Sequence, residues 1–187
     1  MAKKKPVSQE DIFERLLKDR SARIAATRQS HLLFFHIYFS RYVKYGTAPF
    51  HKEIFELTEN AQIPLAVIVA FRSSGKSTII TTSYPLWAIL GEQQKKFVLI
   101  ISRVQSQAQQ HLRNIRHEVE NNKILSSDLG PFDAEHGQFG LQALVFKKLG
   151  AKIMIASVDQ SIRGLRHLEH RPDLIILDDV EDTSSVK

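Results

Sequence analysis

Leu65-Ala66-Val67-Ile68-Val69-Ala70-Phe71-Arg72-Ser73-Ser74-Gly75-Lys76-Ser77-Thr78 is the stretch on which the reading of this chain turns. Its first six residues are apolar without polar alternation, the pattern of a strand buried on both faces of a parallel sheet. A polar loop follows, and then a helix is expected from about Lys76 to Leu90, kinked by Pro85 and ended by Gly91. Ala70 to Ser77 fit the phosphate-loop pattern G-x-x-x-x-G-K-[ST] everywhere except the first position, where alanine stands. The four letters Gly75-Lys76-Ser77-Thr78 alone would be weak, but a strand before them and a helix behind them supply the physics. Backbone N–H groups from Ser73, Ser74 and Gly75 through Ser77 and Thr78 can face a phosphate at the positive end of that helix. Gly75 permits close approach of the backbone, Lys76 reaches the β- and γ-phosphate oxygens, and the Ser77 hydroxyl suits Mg²⁺. Arg72 has two readings, a solvated loop arginine or a cation that stabilises charge on the γ-phosphoryl group.

About a hundred residues on, Leu174-Ile175-Ile176-Leu177-Asp178-Asp179 carries a second signal. Four apolar residues place Asp178 at the carboxyl edge of a buried strand, where open α/β sheets bind ligands. There Asp178 would hold Mg²⁺, directly or through water, and a neighbouring acid, Asp179, could polarise an attacking water. The bland alternative is a strand that ends in a solvated acidic turn, Asp178 to Asp182. Between the two signals, Ser157 to His167 forms a polar, glycine-containing stretch with Arg163 and Arg166, either a phosphate- or DNA-sensing loop or a surface loop.

The remaining elements frame these. Phe97-Val98-Leu99-Ile100-Ile101 reads as another buried strand, followed by a helix with Val104, Ala108, Leu112, Ile115 and Val119 on one stripe. Leu144-Val145-Phe146 and Ile153-Met154-Ile155-Ala156 read as two strands joined by a tight turn, whereas Asn121 to Gln142 reads as irregular. Upstream, residues 1–62 read as a helical segment: one helix opening at Ser8, a second through Leu32 to Val43, and a short third after Pro49. Residues 63–187 then form an α/β core, a mostly parallel sheet with helices on both faces.

Composition excludes more than it assigns. There is no cysteine, hence no disulfide, thiolate metal site or thiol nucleophile. The net charge of +6 is compatible with a polyanionic partner but does not demand one. No apolar run approaches the ~20 residues of a spanning helix. The basic start, Met1 to Pro6, lacks the apolar stretch of a signal peptide and is expected to be a frayed terminus. The eight histidines show no metal-ligand spacing, and His31 and His36, on an apolar helix, are expected at the core edge.

Taken together, Arg72-x-x-Gly75-Lys76-Ser77, Ile100-Ile101-Ser102 with Gln107-Ala108, Ser161-Ile162-Arg163-Gly164-Leu165-Arg166 and Arg171-Pro172-Asp173 running into Asp178-Asp179 resemble the large subunit of tailed-phage DNA-packaging terminases. A phosphate loop with an early arginine and no first glycine is usual in that family. The resemblance spans about Leu65 to Asp182. It implies a P-loop NTPase of the ASCE type, using ATP and Mg²⁺, and a nuclease domain further on. Lys76 and Ser77 would bind phosphates and metal, Asp178 would hold the metal, and Arg72 would sense the γ-phosphate. The family's catalytic acid is commonly a glutamate after the metal-holding aspartate, so Asp179 or Glu181 would fill that role. Double-stranded DNA, a small terminase subunit, a portal protein and further copies of the chain are the implied partners, in the cytoplasm of a host cell. Later sheet strands are expected outside this chain, so weak or no ATP turnover is expected from it alone. Two other readings stand beside this one. A helicase-like ATPase would call for Asp-Glu-x-Asp/His where Asp178-Asp179-Val180-Glu181 stands, and a non-hydrolysing module would bind partners through the helical N-terminus.

Overall fold

The fold was obtained as a computed structural model, which describes residues 9–132 and 141–181. The basic start Met1–Pro6, the expected helix start at Ser8, the region around Gly137 and Asp182 lie outside the described residues. The chain is α/β. Four strands form a mixed sheet in the order β2-β3-β1-β4: β1 (Phe97–Ser102), β2 (Ala143–Phe146), β3 (Ala151–Ser157) and β4 (Leu174–Asp178). β3 and β4 run parallel to β1 on either side of it, and β2 is antiparallel to β3. The β2–β3 pair is the expected hairpin, closed by a short 3₁₀ turn and Gly150 at φ +57°. Asp173 sets the start of β4, since its carboxylate accepts the Lys96 and Phe97 amides at 2.8 and 2.9 Å.

Seven helices are formed among the described residues: α1 (Gln9–Lys18), α2 (Arg20–Gln29), α3 (His31–Tyr38), α4 (Pro49–Glu59), α5 (Tyr84–Leu90), α6 (Gln105–Asn121) and α7 (Lys123–Leu129). The expected first helix is two, because Asp19 leaves the helical conformation and caps α2 through the Ala22 amide at 3.0 Å. α4 starts on Pro49, where a missing N–H costs nothing. α7 falls in a stretch expected to be irregular; Asn122 caps it through the Leu125 amide. Its Asp128 takes a two-pronged ion pair from Arg23 of α2 and a hydrogen bond from Tyr38 of α3, so it fastens the N-terminal helices.

One core runs from the N-terminal helices to the sheet. Phe34, Phe39, Leu86 and Trp87 share it with Leu112 and Ile115 of α6 and with Ile100, Ile153 and Ile155 of the strands, all wholly or almost wholly buried. The opposite face of the sheet carries a smaller cluster, Leu99, Ile101 and Ala156 under Leu165, Met154 and Val180. None of those residues comes from a helix. The expectation of helices on both faces is therefore met on one face only among the described residues.

The expected strand at Leu65–Ala70 does not form. The segment is not in the sheet, and Leu65, Val67 and Val69 are 79, 80 and 92% exposed. Only Ile68 turns toward the core. Apolar continuity asked for a neighbour on each side, yet β4, at the open edge of the sheet, pairs with β1 alone.

Candidate nucleotide and metal site

The loop at 72–77, expected to hold phosphate, is shaped by its own backbone even though no paired strand leads into it. Ser73 and Gly75 adopt left-handed conformations, φ +63° and +80°, on either side of Ser74. Such alternation turns successive amides toward one concave side, a nest for anions. The Ser74 amide bonds back to the Phe71 carbonyl at 3.3 Å, and the Ser74 hydroxyl lies 3.4 Å from the Lys76 amide. The helix begins at Lys76, so the amides of its first turn have no carbonyl four residues back within the helix. Thr78 opens a wide π turn, Thr78–Ser83, in which the Tyr84 amide reaches the Ile79 carbonyl five residues back. Pro85 follows directly. The expected kink is absorbed there as a widened turn, which spares the proline ring a collision with the carbonyl four residues before it.

Asp178 ends β4 beside this loop, where it is 9% exposed. Lys76 and Ser77 at the start of the helix are close enough to act on its carboxyl. From the other side comes His111 of α6, whose Nε2 lies 3.1 Å from Asp178 Oδ2. That approach is within ion-pair distance but bent from the line of a straight hydrogen bond. The His111 contact holds the Asp178 carboxyl below the usual carboxylate range, against the opposing push of burial, with Lys76 and Ser77 adding to it. A hydroxyl and an ionised carboxylate placed together are hard oxygen donors, the set that suits Mg²⁺.

Asp179 sits in the left-handed region, φ +52°, which aspartate tolerates better than most residues. Its side chain is exposed and accepts from Gln107 Nε2 at 3.3 Å. Glu181 is exposed, as are Arg72 at the head of the loop and Arg163 and Arg166 between β3 and β4. No hydrogen bond or ion pair joins these four to the Lys76–Ser77–Asp178 cluster among the described residues.

Three features escaped the sequence. His51, the third residue of α4, accepts the Ala48 amide at Nδ1, which leaves its Nε2–H to donate to the Ser74 carbonyl at 2.6 Å. Phe50 and Phe71 meet edge-on at 5.4 Å beside it, so α4 braces the loop. A cavity of about 240 Å³ opens next to Ser73, Ser74 and Gly75, walled by Tyr42, Val43 and Tyr45. Its Tyr42 wall is fixed by buried Glu118 of α6, which binds both the Tyr42 hydroxyl, at 2.7 Å, and Arg41. His111 is the third. Residue spacing signals metal ligands, whereas these histidines act through contacts to distant residues that only the folded chain creates.

The chain matches no family model, no curated protein and no solved structure. Among the described residues no helix is long and apolar enough to cross a membrane.

Proposed function

We propose that this chain is the Mg²⁺–ATP-binding core of a P-loop ATPase of the ASCE type, the motor part of a DNA-packaging terminase large subunit. The observation that carries the proposal is the approach of Lys76 and Ser77 to Asp178, residues a hundred positions apart, with the turn that follows the loop packed against β4. Two chemically matched signals, one cationic and one acidic, come together at the carboxyl edge of a parallel strand pair, where α/β sheets bind their ligands. The nest at Ser73–Gly75 would take the β- and γ-phosphates, with Lys76 as counter-charge. Ser77 and Asp178 would hold Mg²⁺, which supplies charge neutralisation for a phosphoryl group. The cavity behind the loop, with Tyr42 and Tyr45 on its walls, has room for the base and sugar of the nucleotide.

Water attack on the γ-phosphate would be assisted by Asp179 or Glu181, and Arg72 would approach the γ-phosphoryl group. Asp179 is turned to Gln107 and Glu181 and Arg72 are exposed, an arrangement that favours nucleotide binding without rapid turnover by this chain. The basic surface, including Arg163 and Arg166, would face double-stranded DNA, and the motor would act as several copies on a portal protein with a small terminase subunit, in the host cytoplasm. These last features follow the sequence resemblance.

The test is equilibrium binding of a fluorescent ATP analogue with and without Mg²⁺, to the wild-type chain and to Lys76→Ala. Loss of a charge-assisted contact worth about 2 kcal/mol weakens binding about 30-fold. Equal affinity of the two proteins would sink the assignment of this loop.

A further inference from the structure

We infer that His51 is a positioning residue for the phosphates: its bond to the Ser74 carbonyl holds the Ser74–Gly75 peptide with the N–H, and not the C=O, turned to the anion. The inference rests on the reading of this loop as a phosphate site. A trans peptide unit is planar, so its carbonyl and its amide point in opposite directions, and whatever fixes one aims the other. His51 Nδ1 accepts the Ala48 amide at 3.2 Å and therefore carries no proton. The ring's proton is on Nε2, which donates to the Ser74 carbonyl at 2.6 Å. That carbonyl is thus drawn toward α4, and the Gly75 amide is aimed away from it. Among the described residues the Gly75 amide makes no hydrogen bond, which leaves it to an anion.

Such a hold answers a specific weakness of this loop. Gly75 sits at φ +80°, and glycine adopts negative φ about as readily. Rotation of the Ser74–Gly75 peptide would therefore meet little resistance at Gly75, and it would present the carbonyl oxygen to a phosphate in place of the amide. Where a paired strand leads into a loop, ladder hydrogen bonds fix the loop's first residues. Here the segment ahead of the loop lies outside the sheet, so no ladder does so. Helix α4 supplies the fixed point instead. Its Ile54 and Phe55 are buried in the core, and its Thr58 hydroxyl meets His31 at 2.7 Å. The His51 imidazole is held on that base by the Ala48 amide and by the Phe50 ring, 4.0 Å away between centroids. Ser74 is buried, so water does not readily replace the contact.

Three replacements separate the two ends of the imidazole. His51→Asn reaches only as far as Nδ1, so it keeps the Ala48 amide and loses Ser74. His51→Gln places a donor at the position of Nε2 and keeps Ser74. His51→Phe keeps the ring against Phe50 and loses the donor, which keeps the test open should H51N not fold. The measurement is displacement of N-methylanthraniloyl-ATP by inorganic tripolyphosphate in EDTA, followed by the gain in probe affinity on adding Mg²⁺. Loss of one hydrogen bond corresponds to about 5-fold in affinity. H51N and H51F should bind tripolyphosphate about 5-fold more weakly, H51Q should recover most of the loss, and the gain from Mg²⁺ should be the same in all. Wild-type affinity for tripolyphosphate in H51N or H51F overturns the inference. So does an equal loss in H51N and H51Q, the mark of a side chain that only packs. A wild-type chain that binds neither the probe nor tripolyphosphate overturns the phosphate-site reading, and the inference with it.

Discussion

The Ser77 carbonyl accepts from the Thr81 hydroxyl at 2.6 Å, and its side chain lies close enough to Asp178 to act on that carboxyl. A single residue thereby stands between the candidate phosphate loop, the π turn and the end of β4. His31 works in the same way deeper in the core. Its Nδ1 meets the Thr58 hydroxyl at 2.7 Å and its Nε2 the Ser83 hydroxyl at 3.0 Å, while its ring stacks on Trp87 at 5.2 Å. Burial pushes its pKa down to about 3, so the folded chain keeps this imidazole neutral. An unfolded histidine takes up its proton near pH 6.5. Between about pH 6.5 and 3 the unfolded state thus binds more protons, and stability falls as the pH falls, by up to about 1.4 kcal/mol per unit. Above pH 7 both states are neutral at this position and the contribution is complete. Urea unfolding at pH 7, 6, 5 and 4 should show a shallower decline in His31→Gln than in the wild-type chain.

At the scale of elements, α5 and the turn ahead of it carry the site's geometry to the core. The helix ends at Gly91, whose amide bonds to the Trp87 carbonyl at 2.7 Å. A Cβ there would lie 2.7 Å from the Trp87 carbonyl oxygen and 2.9 Å from that of Arg28, both backbone atoms that cannot swing aside. Gly91→Ala should destabilise the chain by about 2 kcal/mol, read as a fall of about 4–8 °C in thermal midpoint. α6 is the other element of note. It buries Ala108, Leu112, Ile115 and Val119 on one side, as the apolar stripe foretold, whereas Val104, expected on that stripe, precedes the helix and is 46% exposed. It also delivers His111 to Asp178 and Glu118 to Arg41 and Tyr42. Those polar contacts lie on the flank of the stripe, where periodicity says only that a side chain is half inward.

Across the whole molecule, polar and apolar surface are unevenly divided. The core face of the sheet is covered by helices, but apolar side chains remain exposed in two places. They are Leu65, Val67 and Val69 on the unpaired segment and Ile175 and Leu177, 53 and 60% exposed, on the open edge of β4. An unpaired strand edge with apolar side chains favours self-association. The double substitution Val69→Lys and Leu177→Lys should reduce concentration-dependent association in sedimentation velocity. Since both side chains are mainly exposed, stability should shift by no more than about 0.5 kcal/mol per site. Side chains that are instead covered in solution would resist both changes.

Much of this was written locally in the chain. Helix α4 begins where Pro49 allows it, β1 and β4 occupy the continuous apolar runs, and Gly75 takes a positive φ in the loop before the helix. These features depend on neighbours within a few residues, and a linear pattern records them. The run at 65–70 stays unpaired for the complementary reason: apolar continuity reports a preference for burial, and burial requires partners that the pattern cannot supply. Only the tertiary structure decided that this segment stays outside the sheet, that a proline is met by a π turn, and that His51 and His111 clasp the loop and Asp178. Each of those outcomes rests on contacts between residues more than twenty positions apart or on the space left by packed neighbours, and such contacts exist only once the chain has folded.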